Sequence, residues 1–485
     1  MSTESLHVVV AGAGAAGTLT AARLSDAAAR SRRRIVIEVI DPAPGTGRGL
    51  AYSTPDPRHL LNVSAGQMSA LPHTADDFVR WLSDREGRTA DPGAYVARGL
   101  FGAYLAHDLD RSTEAGRDYA TIRRRHDRVV ALDHLPASGD APAAAGVRLR
   151  LRDGGTLDAD AVVLALGNLE PATSWLPPGL EESPGFVADP WCPGALAEVP
   201  TDRDVLLVGT GLTMCDIART LLHPDRTVHA VSRHGMLPRP HAATSPTAPT
   251  GTARPGGPLG PTAYGIPATE PCDLAALKRA VRYRAARSRR LYGDWRHAID
   301  ELRPHIPRLW QQLSFSDQQR FLAAEMREWE VHRHRLPPAT AQALTAARRA
   351  GLLTVRAAEV VGARTGGGRE ITVRQSDGRA LTVGAVVNCT GTEGRVERLT
   401  DPLVRSLLGS GLAAPGPHGL GFDTAPDGRL IGTAGRSTTP VWTLGPLRRG
   451  NLWETTAIGE IRVQAGELAT RILDRTTRTT RTAPR

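Results

Sequence analysis

An α/β fold with two parallel-sheet units, the second nested inside the first, follows from three features of this 485-residue chain. The stretch VVVAGAGAAG (8–17) runs an apolar strand into a glycine-rich turn, and VLLVGTGLTMCD (205–216) repeats the pattern near the middle. Two further apolar runs, ADAVVLALGN (159–168) and VGAVVNCTGT (383–392), each carry a glycine just past the strand, Gly167 and Gly391. Each of these runs follows a strand–turn–strand pattern, VRLRLRDGGTLD and ITVRQSDGRALT, that predicts a β-ribbon. Two strand–glycine–helix turns imply two bound nucleotides. The echoed ribbons and apolar strands imply that the second unit interrupts the first.

The first turn has the full G-x-G-x-x-G spacing at Gly12, Gly14 and Gly17, between a strand over about 6–11 and an alanine-rich helix over about 15–29. That context distinguishes a Rossmann-like dinucleotide site from a bare glycine turn. The first two glycines allow a tight turn and close approach of a pyrophosphate. The third lets helix pack on strand, and the helix N-terminus supplies amides and a positive dipole. A second strand, RIVIEVI (34–40), ends at Asp41, where a carboxylate would hold an adenosine ribose; a turn residue before Pro42 is the competing reading.

The second turn keeps Gly209 and Gly211, but Met214 stands in place of the third glycine. A strand (205–208), a helix (about 212–223) and a second strand, TVHAVSR (227–233), surround it. This strand ends in Ser232-Arg233 with no acid after it. A guanidinium suits a 2′-phosphate where an acid suits a free ribose hydroxyl, so NADPH is expected here over NADH. An exposed arginine at a strand end is the alternative. Residues 241–271, rich in Pro, Gly, Thr and Ala, predict a loop or lid bordering a substrate entrance. Residues 273–350 read as mostly helical, with Trp295, Trp310, Leu313, Phe321 and Trp329 as core, and TTAIGEIRVQAGELATRIL (455–473) as the closing helix.

Composition narrows the class. The formal charge of +10 is carried almost wholly by arginine, Lys278 being the single lysine, in an Ala-, Gly- and Pro-rich background. The densest basic stretch, KRAVRYRAARSRR (278–290), reads as a solvated helix face without an aromatic-interleaved recognition motif, so no nucleic-acid partner is expected. No apolar run reaches the ~20 residues that span a bilayer. Cys192, Cys215, Cys272 and Cys389 form no C-x-x-C pair, which predicts a reduced, cytoplasmic protein and argues against a thiol–disulfide reductase. Cys215 and Cys389 lie in apolar segments and read as buried small side chains. His332 and His334 are two apart, on different helical faces, which argues against a metal pair. A structural role or a nucleotide or substrate contact stays open for them. His59 and His73 flank a glycine-rich loop and could reach a substrate or serve as turn residues.

DPAPGTGRGLAYSTPDPRHLLNVSAGQM (41–68), YVARGLFGAYL (95–105), WEVHRHRLPP (329–338) and LGPLRRGNLWETTAIGEIRVQA (444–465) resemble a family of flavin-dependent two-dinucleotide proteins. That family includes urate-hydroxylase-like and aspartate N-monooxygenase-like enzymes, and its layout is more distantly similar to ornithine and lysine N-hydroxylases. The resemblance implies FAD in the first unit and NADPH in the second. The nested pattern sets an FAD-binding part over 1–200, an NAD(P)-binding part over 201–382 and a return to the FAD-binding part over 383–474, and the polar, repetitive RTTRTTRTAPR predicts a disordered tail over 475–485. It assigns the ADP half of FAD to Gly12, Gly14, Gly17 and Asp41, and places Arg48 along the flavin or pyrophosphate. Asn62 and Gln67 would lie near the isoalloxazine, Arg98 on the pyrophosphate, and the Val129 backbone on adenine. The Gly-Asp pair that reaches the ribityl chain in many such flavoproteins is missing; the turn Trp453-Glu454-Thr455 opening the last helix takes its place, the helix end facing flavin N1–C2=O. The activity implied is NADPH-dependent oxygenation of a small nucleophile, plausibly an amine nitrogen, by dioxygen through a flavin C4a-(hydro)peroxide. An FAD-linked dehydrogenase, oxidase or reductase without oxygenation uses the same nucleotide residues, and a non-catalytic redox sensor is a third reading.

Overall fold

A computed structural model describes residues 5–135, 146–242, 273–366, 368–437 and 439–480. The chain divides into two units, the first made of 1–55, 64–170 and 394–485 and the second of 56–63 and 171–393. Strands are numbered along the chain. The first unit holds β1 (Leu6–Ala11), β2 (Ile35–Ile40), β3 (Ala120–Arg125), β4 (Val129–Leu135), β5 (Gly146–Leu151), β6 (Thr156–Ala159) and β7 (Ala161–Leu164). The second holds β8 (Phe186–Val187), β9 (Val205–Val208), β10 (Val228–Ser232), β11 (Leu353–Ala357), β12 (Val360–Thr365), β13 (Ile371–Gln375), β14 (Ala380–Val383) and β15 (Ala385–Asn388). The chain then returns to the first unit with β16 (Val441–Thr443).

Each unit pairs a five-stranded parallel sheet with a three-stranded antiparallel ribbon. The sheets run β16-β7-β1-β2-β3 and β11-β10-β9-β15-β8; the ribbons are β4-β5-β6 and β12-β13-β14. The two halves therefore echo one another as the sequence predicts. Strands β7 and β9 are continuous apolar runs, and β1 and β15 are apolar but for His7 and Asn388, because neighbours cover both faces of a parallel sheet. The ribbon turns use Gly154 (φ 89°) and Gly378 (φ 82°), each following an aspartate, as tight antiparallel connections require.

In the first unit the helix Ala15–Ser31 packs against the helices Arg98–Gly116 and Ile458–Thr480. A polar network, buried at Arg23, Asp77, Tyr104 and Asp108, locks the contact with Arg98–Gly116. Arg23 Nη2 donates to Asp108 at 2.7 Å, Arg111 reaches both Asp108 (2.7 Å) and Asp77 (3.2 Å), and Tyr104 Oη donates to Asp77 at 2.6 Å. In the second unit Met214 is fully buried and joins the core with Leu207, Ile217, Val387 and Cys389. Where the first unit closes helix on strand through a bare glycine, the second fills the same position with a thioether.

Three features differ from the sequence reading, and a fourth expectation falls outside the described residues. The boundaries fall at 170/171 and 393/394, not at 200 and 382, because β8 pairs with β15 and β15 with β9 inside the second sheet. The last helix starts at Ile458 and runs through Thr480, six residues into the expected tail; 481–485 lie outside the described residues. Residues 273–350 are helical in six segments from Leu274–Tyr292 to Pro338–Arg349, but of the five expected core residues Trp310 and Leu313 are buried, while Trp295, Phe321 and Trp329 are half-buried. The predicted Pro/Gly loop, apart from His241 and Ala242, lies outside the described residues.

The close approach of strand ends gives a stability test. A β-carbon on Gly209 (φ 109°) would sit 2.2 Å from the Cys389 carbonyl oxygen, whereas one on Gly211 meets nothing within 4 Å. Gly209→Ala is expected to cost about 2–5 kcal/mol through clash and strained backbone, read as a lower urea midpoint. Gly211→Ala is expected to stay close to wild type in the same titration.

Candidate functional site

In the first unit the turn after β1 is built by backbone contact. Gly12 (φ 110°) donates its N–H to the Ile40 carbonyl at 2.8 Å, and a β-carbon there would lie 2.4 Å from the Ala165 oxygen. Gly14 caps the helix Ala15–Ser31, and a β-carbon on Gly17 would lie 1.8 Å from the Gly12 oxygen. Asp41, at the end of β2, accepts from the Ala13 amide at 2.6 Å and the Ala43 amide at 2.7 Å. Its carboxylate thus braces the glycine turn as well as standing where a ribose is expected. The loop Gly47-Arg48-Gly49 closes over the turn. Gly47 donates to the Ala13 carbonyl (3.0 Å) and to Thr18 Oγ1 (2.8 Å), and Gly49 stands so near Gly14 that its β-carbon would be 2.9 Å from the Gly14 Cα. Arg48 is exposed.

Arg98 opens the helix Arg98–Gly116, and burial pushes its guanidinium down to about 10, partly offset by the Tyr52 phenol beside it. Burial in turn drives the Tyr52 hydroxyl well above the usual phenol range, with Arg98 opposing. The two form a desolvated pair beside the 48–52 segment. Gln67 is exposed at the end of the short turn Ala65–Gln67, and Val129 is buried at the start of the ribbon opposite Leu151. Gly167 (φ 64°) follows β7 with open space where a side chain would stand. Glu454 and Thr455 are buried. Two residues, Thr456 and Ala457, lie between Thr455 and the helix that starts at Ile458, so this turn precedes that helix and does not form its first residues. The Thr455 hydroxyl donates to the Gly445 carbonyl (3.2 Å) and accepts from Gln464 (2.8 Å). His73 lines a cleft of about 650 Å³ with Arg30, Val463 and Glu467.

The second unit repeats the turn with different polar groups. Gly209 donates to the Val231 carbonyl at 2.7 Å, and Gly211 caps the helix Leu212–Leu221. Ser232 Oγ lies 2.7 Å from Thr210 Oγ1 and accepts from the Gly235 amide at 3.1 Å. Arg233 is 70% exposed, its Nε 4.0 Å from Glu359. Gly391 (φ 92°) mirrors Gly167, again with open space on its side-chain side. Sequence reasoning missed Arg327. Its Nη2 donates to the Thr210 carbonyl (3.0 Å), Thr210 Oγ1 (3.3 Å) and the Met236 carbonyl (2.5 Å), so it grips the turn between the two glycines. It lies 117 residues beyond Thr210 on a helix with no nucleotide motif, and only its neighbour block WEVHRHRLPP drew attention to the region. Burial raises both thiols, Cys215 to about 12 and Cys389 further, so both are inert thiols. His332 Nδ1 lies 2.8 Å from the Glu328 carbonyl, and its ring meets Trp295 edge-on at 4.9 Å.

The segment 56–63, with His59 and Asn62, belongs to the second unit. Asp56 accepts from Arg58 (2.7 Å) and from Thr220 Oγ1 (2.9 Å), and His59 Nε2 lies 2.9 Å from the same hydroxyl. Burial alone would raise Asp56, but the hydrogen bonds from Arg58 and Thr220 outweigh it and hold the carboxyl well below the usual range. The Asn62 carbonyl accepts from His241 Nε2 at 2.8 Å within the second unit.

A family model described as FAD-NAD(P)-binding matches residues 9–169, the stretch from β1 to just past β7. No curated protein matches the chain. Among solved structures, the ornithine hydroxylase of Pseudomonas aeruginosa is 14% identical with a TM-score of 0.61, covering 97% of this chain and 99% of its own. The L-lysine 6-monooxygenase of Pseudomonas syringae is 16% identical at a TM-score of 0.61, with 97% and 99% covered. The ornithine N-hydroxylase of Kutzneria sp., solved with reduced FAD, NADP+ and L-ornithine, is 15% identical at 0.58, with 97% and 100% covered. The fold is that of the flavin monooxygenases.

The His241–Asn62 bond carries a pH signature. Burial, then the Arg335 charge, lowers the imidazole from 6.5 to about 4, against the raising effect of the Asn62 carbonyl. Between those values the unfolded chain binds a proton that the folded one does not, so stability falls as pH drops from about 6.5 to 4. Thermal melting across this window is expected to show a smaller loss for His241→Asn than for wild type.

Proposed function

We propose that the protein is an FAD-dependent, NADPH-using monooxygenase that oxygenates a small nucleophile, with an amine nitrogen as the favoured acceptor. The observation that carries this reading is the pair of glycine cradles. Gly12, Gly17 and Gly209 sit where any side chain would strike backbone, and Gly167, Gly211 and Gly391 leave open space above the strand ends. Such cradles fit the pyrophosphates of two dinucleotides. The likeness to N-hydroxylating enzymes along the length of the chain supports the choice of chemistry.

Bound in the two cradles, FAD supplies redox and oxygen chemistry and NADPH supplies the hydride. The chain's own residues bind and orient. The amides of the Gly14–Gly17 turn and the dipole of the helix Ala15–Ser31 face the first pyrophosphate. Arg48 reaches it from the exposed side, and Arg98, already desolvated, gains most from an anionic neighbour. Asp41 meets the ribose while keeping the turn in shape. Gln67 and the Val129 backbone lie along the remainder of the flavin nucleotide. Glu454 and Thr455, with the Thr455 hydroxyl held by Gly445 and Gln464, offer their backbone to the ribityl–flavin end. Gly209, Gly211 and Ser232 border the second nucleotide.

The purified protein is expected to be yellow and to release FAD on denaturation. Gly14→Val is expected to lose most of that flavin, since its methyl groups enter the space between the turn and Gly49, 3.5 Å from the new β-carbon. Full flavin content in this variant, measured by absorbance per protein, would remove the loop from the site.

Turnover of candidate amines under 18O-labelled dioxygen tests the reaction class. One labelled oxygen atom in the product, with one NADPH consumed per product, is the expected result. Substrate oxidation without label in the product replaces the reading with a dehydrogenase or oxidase.

A further inference from the structure

The second unit contains two arginines near the end of β10, in very different surroundings. Arg233 follows the strand directly but is 70% exposed, and among the described residues its carboxylate neighbour, Glu359, is 4.0 Å away. A charge so placed is screened by water. Arg327 comes from the helix Met326–Arg333 and has a side chain only 23% exposed. Its Nη2 spans the Thr210 and Met236 carbonyls, which fixes the plane of the guanidinium. Thr210 Oγ1 then links this group to Ser232 Oγ, the last residue of β10. Arg327 thereby stands against both parts that define an adenosine ribose position in this fold: the glycine turn and the end of the second strand.

Its electrostatics point the same way. Burial lowers the guanidinium from its ordinary value, with Glu330 and then Cys215 opposing, and the Glu330 carboxylate is 3.7 Å from Nη1. A partly desolvated cation with one loosely held carboxylate gains more from a phosphate dianion than an exposed one does.

We propose that Arg327, with Thr210 and Ser232 beside it, selects nucleotides that carry a 2′-phosphate, and that Arg233 contributes little. This rests on the reading of the second unit as the NADPH site. The ligand class is a 2′-phosphorylated adenosine, and the guanidinium acts on its phosphate by charge-assisted hydrogen bonding.

Calorimetric titration of the flavin-loaded protein with 2′,5′-ADP and with 5′-AMP tests the assignment without any turnover. Wild type is expected to bind 2′,5′-ADP roughly 10- to 100-fold more tightly. Arg327→Ala and Arg327→Gln should each lose at least about tenfold of that ratio with 5′-AMP affinity nearly unchanged. Arg327→Lys should retain part of it, and Arg233→Ala most of it. If wild type discriminates but the Arg327 variants keep its ratio, or if Arg233→Ala alone abolishes it, the assignment is wrong. Parallel loss of both affinities in Arg327→Gln, which keeps a donor for Thr210, would make Arg327 a brace of the turn and overturn its role in selection. A wild type that does not discriminate at all removes the NADPH reading itself, an outcome visible before any variant is made.

Discussion

The carbonyl of Ala165 occupies the space where a side chain on Gly12 would stand, and the carbonyl of Cys389 does the same to Gly209. This contact between a turn and the end of the next strand is the constraint on which both units depend. It lets β7 run close beside β1, and β15 beside β9, up to the point where each chain leaves its sheet. Asp41, Ser232 and the 47–49 loop all take their places from a turn held this way.

The two units solve the next step differently. In the first, Gly17 lets the helix descend onto the turn until a β-carbon would meet the Gly12 oxygen at 1.8 Å. In the second, Met214 is wholly buried at the equivalent position and the polar bracing moves outward to Thr210, Ser232 and Arg327. The first turn is braced by a carboxylate and the second by hydroxyls and a guanidinium.

Much of this was legible in the residues because the signals are local. Glycines at fixed spacing, apolar strands of a parallel sheet and Asp-Gly ribbon turns each declare themselves within a dozen residues, and β1, β2, β9, β10 and both ribbons lie where those signals put them. What depends on distant contact was not legible. Nothing near Asn62 says that its carbonyl meets His241, 179 positions on, or that Arg327 reaches the Thr210 carbonyl. The unit boundaries were misplaced for the same reason: β8 is two residues long and earns its place only through β15. Trp453, with φ 60° in a region that disfavours side chains, marks a turn whose shape no local propensity foretells.

The order of the strands also sets the order in which the protein can be completed during synthesis. The first sheet needs β16, which emerges only after every strand of the second, so β1, β2, β3 and β7 must persist without their edge partner while 171–393 is made. The second sheet can close as soon as β15 has emerged, with 56–63 already available. The later-starting unit is therefore the first that can reach its native pairing on the ribosome. Until β16 arrives, β7 is an unpaired edge of the first sheet, open to wrong partners.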